Sequence, residues 1–141
     1  MIGKALEIAW KAHEGQTDKA GKPYIQHPLA VASRMETEEE IAIALLHDVV
    51  EDTEVTFEDL EQAGFPKRVL DALRLLTHDP AEDYFTYIER VKGNQLARKV
   101  KLADLAHNSQ IDRLSEITEK DRERLEKYRK AKEMMGEKLS Q

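Results

Sequence analysis

Apolar residues recur at three- and four-residue intervals along most of the chain, and nowhere does a period of two persist over a strand's length. The pattern predicts an all-α domain. A first helix is expected over residues 2–14, with Leu6, Ala9, Trp10 and His13 on one face and Gly15 just past its end. Residues 16–25 read as a polar loop containing Gly21 and Pro23, and Pro28 suits the first turn of a helix over 27–35. Thr37-Glu38-Glu39-Glu40 has the capping-box pattern, a hydroxyl acceptor at the cap and a glutamate three residues on. The run that follows, Ile41-Ala42-Ile43-Ala44-Leu45-Leu46, is apolar all round, which marks the helix at the centre of the molecule.

Thr56-Phe57-Glu58-Asp59 opens a further helix, and Gly64 with Pro66 marks a stop and a restart. Residues 66–76 present Val69, Leu70, Leu73 and Leu76 inward. After a loop through His78, Asp79 and Pro80, a helix near 83–91 ends at Gly93. Asn94 can cap the next, whose stripe is Leu96, Val100, Ala103 and His107. Thr118-Glu119-Lys120-Asp121 opens the last, which alternates charge sign and carries Leu125, Tyr128, Met135 and Leu139 at helical spacing. That stripe fits core packing and equally a homodimer.

Composition narrows the function. A chain of 141 residues is expected to form one domain over 1–141. It has no cysteine, so a disulfide framework, a zinc-thiolate site and a thiol nucleophile are all excluded, and any metal must sit on histidine and carboxylate. The net charge of −6 argues against a nucleic-acid partner, because phosphate affinity comes from clustered lysine and arginine. It leaves room for a small phosphorylated ligand. No stretch has the roughly 18–20 uncharged apolar residues of a membrane span. Glu7 interrupts what a signal peptide would keep apolar, so the expected setting is the cytoplasm.

The chemistry concentrates in Ala44-Leu45-Leu46-His47-Asp48-Val49-Val50-Glu51-Asp52-Thr53, where an apolar helix presents four ionisable groups within two turns. Burying such groups unpartnered costs several kcal/mol, so they need a metal, an opposite charge or a wet cleft. On a continuous helix His47 and Asp48 project about 100° apart and could grip one ion, with Glu51 and Asp52 one turn on. A polar helix end with a His47–Glu51 pair explains the helix alone equally well. Elsewhere, His27 lies in a stiff turn just before Pro28. Asp104 and Asn108 lie one turn apart on a largely apolar helix, where Asp104 could instead pair with a lysine. Two imidazoles and two carboxylates on three helices would make a mixed nitrogen–oxygen site.

The segments Ala12-His13-Glu14-Gly15-Gln16, Lys19-Ala20-Gly21-Lys22-Pro23-Tyr24-Ile25-Gln26-His27-Pro28, His47-Asp48-Val49-Val50-Glu51-Asp52-Thr53 and Lys101-Leu102-Ala103-Asp104-Leu105-Ala106-His107-Asn108 follow one another in a familiar order. An HD dipeptide alone is weak evidence; four motifs in order are strong. From residue 5 to 108 the chain resembles the HD-domain hydrolase half of the RelA/SpoT alarmone enzymes and their small stand-alone relatives, the metazoan SpoT homologues among them. The resemblance implies the all-helical HD fold. It places metal ligands on His27, His47, Asp48 and Asp104, usually for Mn²⁺. It makes Glu51 and Asp52 the pair that positions and deprotonates the attacking water. Lys19 then lies near the nucleotide and Asn108 contacts its sugar–phosphate part. The activity implied is removal of the 3′-pyrophosphate from (p)ppGpp, and a chain of this length is expected to be without the synthetase and regulatory domains of the long enzymes.

Three departures bear on specificity. Where the alarmone enzymes carry an arginine that covers the purine, this chain has Asp18, which cannot stack and would repel phosphate. Ala20 replaces a small hydroxyl residue, and Ser109-Gln110-Ile111 replaces Met-Arg-Thr. A nucleotidase or pyrophosphatase acting on ordinary nucleotides is the alternative enzyme reading, and a nucleotide-sensing module the non-catalytic one. His13, His78 and His107 are expected to be structural or surface residues, and the acids at 36–40 to serve a helix N-terminus and solvation.

Overall fold

The computed structural model describes residues 1–113 and 118–136, the first stretch with side chains to residue 110. Among the described residues there are nine helices and no strand. They are α1 (Ile2–Ala12), α2 (Gln26–Ala32), α3 (Glu38–Leu46), α4 (Val49–Asp52), α5 (Phe57–Gln62), α6 (Lys67–Leu76), α7 (Tyr84–Lys92), α8 (Gln95–Arg113) and α9 (Glu119–Met134). Among the described residues no helix is long and apolar enough to cross a membrane.

α3 is the axis of the fold. Ala42 to Leu46 are all buried, and α1, α2, α6 and α8 pack around them. A helix apolar on every side has no face to give to water, and each large aliphatic side chain it buries contributes about 1.5–3 kcal/mol. α8 lies along α3 and also meets α2, α6, α7 and α9, so it carries one wall of the core across the domain.

Local signals set most boundaries. Thr37 with Glu40, Thr56 with Asp59 and Thr118 with Asp121 form reciprocal capping boxes at the starts of α3, α5 and α9. The Asp83 carboxylate accepts from the Thr86 N–H at 3.2 Å, and Asn94 Oδ1 from the Ala97 N–H at 3.0 Å. Glu40 also accepts from Lys99 at 3.0 Å, which joins the start of α3 to α8, so one acid of the 36–40 run serves in the interior as well as at the cap.

The expectations for the first two helices change in detail. α1 ends two residues early, with His13 as its C-cap, and Gly15 at φ 84 turns the chain in the left-handed region that glycine tolerates. Its inward stripe is Ala5, Ala9 and His13, while Trp10 is 55% exposed. The 3.6-residue period allowed either choice, and the small alanines let α1 approach α3 closely. α2 is shorter than expected, with Pro28 in its first turn. At the last helix the C-cap Met135 is buried, Tyr128 packs half-buried against the core and Leu125 is half-buried. Leu139 and the side chain of Ile111 lie outside the described residues.

Candidate metal centre

The site is built where the central helix breaks. The sequence pattern suggested one helix through His47, Asp48, Glu51 and Asp52; instead α3 stops at Leu46, His47 is its C-cap, and Asp48 is the N-cap of α4. The cause is local. The last carbonyls of a helix lack intrahelical donors, and the His47 ring turns back to bond the Ala44 carbonyl, Nδ1 to oxygen 2.5 Å. The break aims both side chains of the His-Asp pair at the groove between α2 and α8.

Four groups meet there. His27 from α2, His47, Asp48 and Asp104 from α8 each offer a ligand atom, all within 4.8 Å of one another. His27 Nε2 lies 2.7 Å from Asp104 Oδ1 and 3.6 Å from Asp48 Oδ2. His47 Nε2 lies 3.1 Å from Asp48 Oδ2 and 3.2 Å from Asp104 Oδ1. An octahedral ion about 2.1 Å from its donors would separate them by about 3.0 Å when adjacent and about 4.2 Å when opposite. The observed spread suits one such ion.

The hydrogen bonding makes the same point independently. A carbonyl only accepts, so Nδ1 of His47 carries the hydrogen and a neutral ring directs its Nε2 lone pair at two carboxylate oxygens. Three acceptors converge, and only a proton or a cation reconciles them. Without a metal the proton does so. Burial disfavours the imidazolium, yet the Asp48 and Asp104 charges outweigh it and hold His47 well above the ordinary imidazole range. Burial likewise works against ionised Asp48, but the His47 charge prevails and brings it down to about 2.

The surrounding side chains orient these four. The Tyr24 hydroxyl donates to Asp48 Oδ2 at 2.5 Å; burial and then the Asp48 charge push its pKa far up, so it remains a donor. His27 Nδ1 pairs with His107 Nδ1 at 2.7 Å, which leaves His27 Nε2 for the centre. Lys101 donates to Asp104 Oδ2 at 3.0 Å and lies over the Tyr87 ring, 5.2 Å from its centroid. Burial opposes ionised Asp104, and the Lys101 charge then holds it well below the usual range.

The acid pair expected to handle water stands on α4 beside the four. Asp48, Glu51 and Asp52 each have an oxygen within 4.8 Å of the others. Burial, then the Asp48 charge, raises the pKa of both Glu51 and Asp52, which brings these bases closer to neutrality than free carboxylates. Glu51 accepts from the main-chain N–H of His78 at 3.1 Å.

On the other side a cleft of about 330 Å³ opens, lined by Lys19, Tyr24, His27, Asn108, Arg124 and Tyr128 among others. Lys19 and Asn108 thus lie together as the sequence suggested. Lys19 pairs there with Asp121 of α9, and Asn108 donates to Asp104 Oδ1 at 3.2 Å. Asp18 has a role that sequence reading missed: its Oδ1 accepts from the N–H groups of Ala20 and Lys22 at 2.8 and 3.0 Å and closes the turn at Gly21. Ser109 is buried and donates to the Leu105 carbonyl. Tyr24, Lys101 and Arg124 had been assigned no role, and Tyr128 only a packing or dimer one. Only Lys101 carried a local signal, its i,i+3 spacing from Asp104.

A helical fold with two imidazoles and two aspartates facing one point defines an HD domain, and the chain belongs to that family, whose description, HD domain, matches residues 5–135. Within the family its relatives are of the RelA/SpoT type. It is 38% identical over 122 residues to the bifunctional (p)ppGpp synthase/hydrolase SpoT of Escherichia coli strain K12, covering 76% of this chain and 17% of that protein. It is 34% identical over 130 residues to a probable guanosine-3′,5′-bis(diphosphate) 3′-pyrophosphohydrolase of Synechocystis, covering 82% of this chain and 17% of the other. The chain therefore spans about a sixth of the length of these curated relatives. The solved structure of a metazoan ortholog of SpoT that hydrolyses ppGpp superposes with a TM-score of 0.76 at 28% identity, covering 95% of this chain and 82% of that one.

Proposed function

We propose that this HD domain is a metal-dependent phosphohydrolase that removes the 3′-diphosphate of (p)ppGpp or a closely related nucleotide. The observation that carries the reading is the convergence of His27, His47, Asp48 and Asp104 on one point, with His47 Nε2 facing two carboxylate oxygens that a proton or a metal cation must reconcile. The names of the relatives supply the substrate class.

His27, His47, Asp48 and Asp104 would hold the cation, for which we propose Mn²⁺, because the set mixes imidazole with carboxylate oxygens. When bound, a divalent ion lowers the pKa of a water and polarises a phosphoryl oxygen. Glu51 and Asp52 take the proton of the attacking water, a task their raised basicity suits. Lys19 and Arg124 offset substrate phosphate charge in the cleft, Asn108 contacts the sugar–phosphate part, and Tyr128 offers an aromatic face. Tyr24 and His107 keep the ligands oriented. We propose the cytoplasm as the setting of this activity.

One observation favours a second reading. The position that stacks on guanine in the family is an aspartate engaged in its own loop, so the base is not held there and a pyrophosphatase on ordinary nucleotides fits the same centre. The test is a Mn²⁺-supplemented screen of guanosine and adenosine 3′-diphosphates alongside canonical triphosphates, with phosphate products identified. Release from the 3′ side supports the alarmone reading and release from the 5′ side the alternative. Saturable binding with no turnover in the entire panel refutes both and leaves a sensing module.

A further inference from the structure

We propose that His13 is a positioning residue for Asp52, acting through Gln16; this rests on the assignment of Asp52 as a proton acceptor made above. The hydrogen bonds fix its orientation step by step. The main-chain carbonyl of Asp52 can only accept, so the Gln16 atom that faces it at 3.2 Å is the amide nitrogen. The other end of that amide, Oε1, then faces His13 Nδ1 at 2.9 Å, and this nitrogen carries the ring hydrogen. Nε2 keeps a lone pair, and it is buried without a partner.

That unpaired nitrogen separates function from packing. His13 is 2% exposed and lies against the Tyr24 ring, centroids 4.9 Å apart. An apolar side chain of similar volume would fill the space and leave no acceptor unsatisfied. What the imidazole adds is the Nδ1 donor, whose acceptor among the described residues is Gln16.

Asp52 needs such a brace. It ends α4, a helix of four residues whose last carbonyls lack helical donors. Gln16 reaches one of them from 36 residues away and so fixes the peptide that carries the acid side chain. Tyr24, packed on the same His13 ring, bonds Asp48. His13 therefore sits where the supports of two acids meet, one from the metal set and one from the water-handling pair.

The test uses the full chain with Mn²⁺ and guanosine 5′-diphosphate 3′-diphosphate, with metal affinity measured separately by calorimetry. Gln16→Leu lowers kcat by about 10- to 100-fold, as small misplacements of a reacting group do, with KM and Mn²⁺ affinity near wild type. In an Asp52→Asn background the same substitution adds nothing further, because the two act as a unit. His13→Asn, whose amide nitrogen stands where Nδ1 stood, retains more kcat than His13→Leu. If Gln16→Leu fails to fold, Gln16→Glu replaces it: the carboxylate still accepts from His13 but cannot donate to the Asp52 carbonyl, and the same kcat loss is expected. An equal loss with and without the Asp52 side chain overturns the proposal, and so does a loss carried by KM or by metal affinity. Ring ¹⁵N shifts give a readout independent of turnover. They should show His13 protonated on Nδ1, and a ring protonated on Nε2 ends the argument even if the wild-type chain hydrolyses no nucleotide.

Discussion

Replacing Lys101 by methionine tests the electrostatic frame of the centre most directly. Its ammonium lies 3.0 Å from Asp104 Oδ2, and the two side chains are 14% and 5% exposed. At that distance, with an effective dielectric constant of about 20, the attraction is about 5–6 kcal/mol, most of it set against desolvation. Removing one partner leaves the other charge buried and typically costs about 3–5 kcal/mol. A domain of 141 residues has a stability of about 7–21 kcal/mol, so the loss is a large share of the whole. At about 2–4 °C per kcal/mol, Tm of the metal-free protein should fall by about 6–20 °C.

Three controls make that number specific. Lys101→Met/Asp104→Asn should recover part of the stability, because the buried carboxylate is gone and His47 keeps Asp48 as its counter-charge. Lys127→Met, which removes an exposed lysine lying over the Tyr84 ring, should shift stability by no more than about 0.5–1 kcal/mol. Mn²⁺ should stabilise Lys101→Met more than wild type, since a cation at the centre replaces charge that Asp104 has lost. Urea melts followed by circular dichroism report all of these. A Lys101→Met protein within about 1 kcal/mol of wild type would refute the reasoning, because the ammonium would then not be what holds Asp104 ionised in the interior.

Other outcomes follow from the same geometry. Tyr24→Phe removes the donor on Asp48 Oδ2 and should weaken Mn²⁺ binding by about 10- to 100-fold in a calorimetric titration; unchanged affinity would mean that Tyr24 does not orient the ligand. Asp52→Asn should lower kcat by about 10²–10⁴ while Mn²⁺ still binds, and equal losses in turnover and in metal affinity would make Asp52 a ligand instead. Because burial and then Asp48 raise Glu51 and Asp52, activity should fall with decreasing pH at values above the ordinary carboxylate range of about 4, which a kcat/KM profile reads directly. His47 is held above the ordinary imidazole value in the metal-free protein, so its stabilisation is full below about pH 6.5 and fades as pH rises through the folded value. Metal-free melts of wild type and His47→Gln should therefore converge toward high pH, whereas Mn²⁺ affinity should rise with pH as the proton gives way to the metal.

What could be read in advance divides by the range of the interaction that fixes it. Caps are local, so Thr37, Thr56, Asn94 and Thr118 announced their helices from patterns spanning three residues, while the Asp83 cap emerged only in the structure. The centrality of α3 was equally plain, because six apolar residues in succession have no polar side to expose. The break after Leu46 was not plain. A histidine following an apolar helix reads as a continuation, whereas in the structure its ring bonds the Ala44 carbonyl, three residues back, at the point where the helix stops. Trp10 illustrates a different ambiguity: two faces of α1 carry apolar residues, and packing distance to α3 selects the one with alanines.

Motif order suggested the four residues proposed as ligands, and the reason they meet in space is tertiary. His27 and Asp104 are 77 residues apart, and nothing in their spacing states that α2 and α8 pack together. Burying α3 on every side forces both helices against it, and its polar end then opens into the groove where they meet. The same argument explains the blind spot on α9. Lys19 and Asp121 lie 102 residues apart, so an aspartate that looked like part of a capping box also anchors the loop of Lys19, and Arg124 and Tyr128 enter the cleft on the helix so anchored. Asp18 completes the case. Judged as a missing arginine it counts against nucleotide binding, but its carboxylate is spent on the N–H groups of Ala20 and Lys22, and the turn they form presents Lys19 to the cleft. The residue that stands where the family's arginine is expected is thus the residue that shapes the loop carrying Lys19.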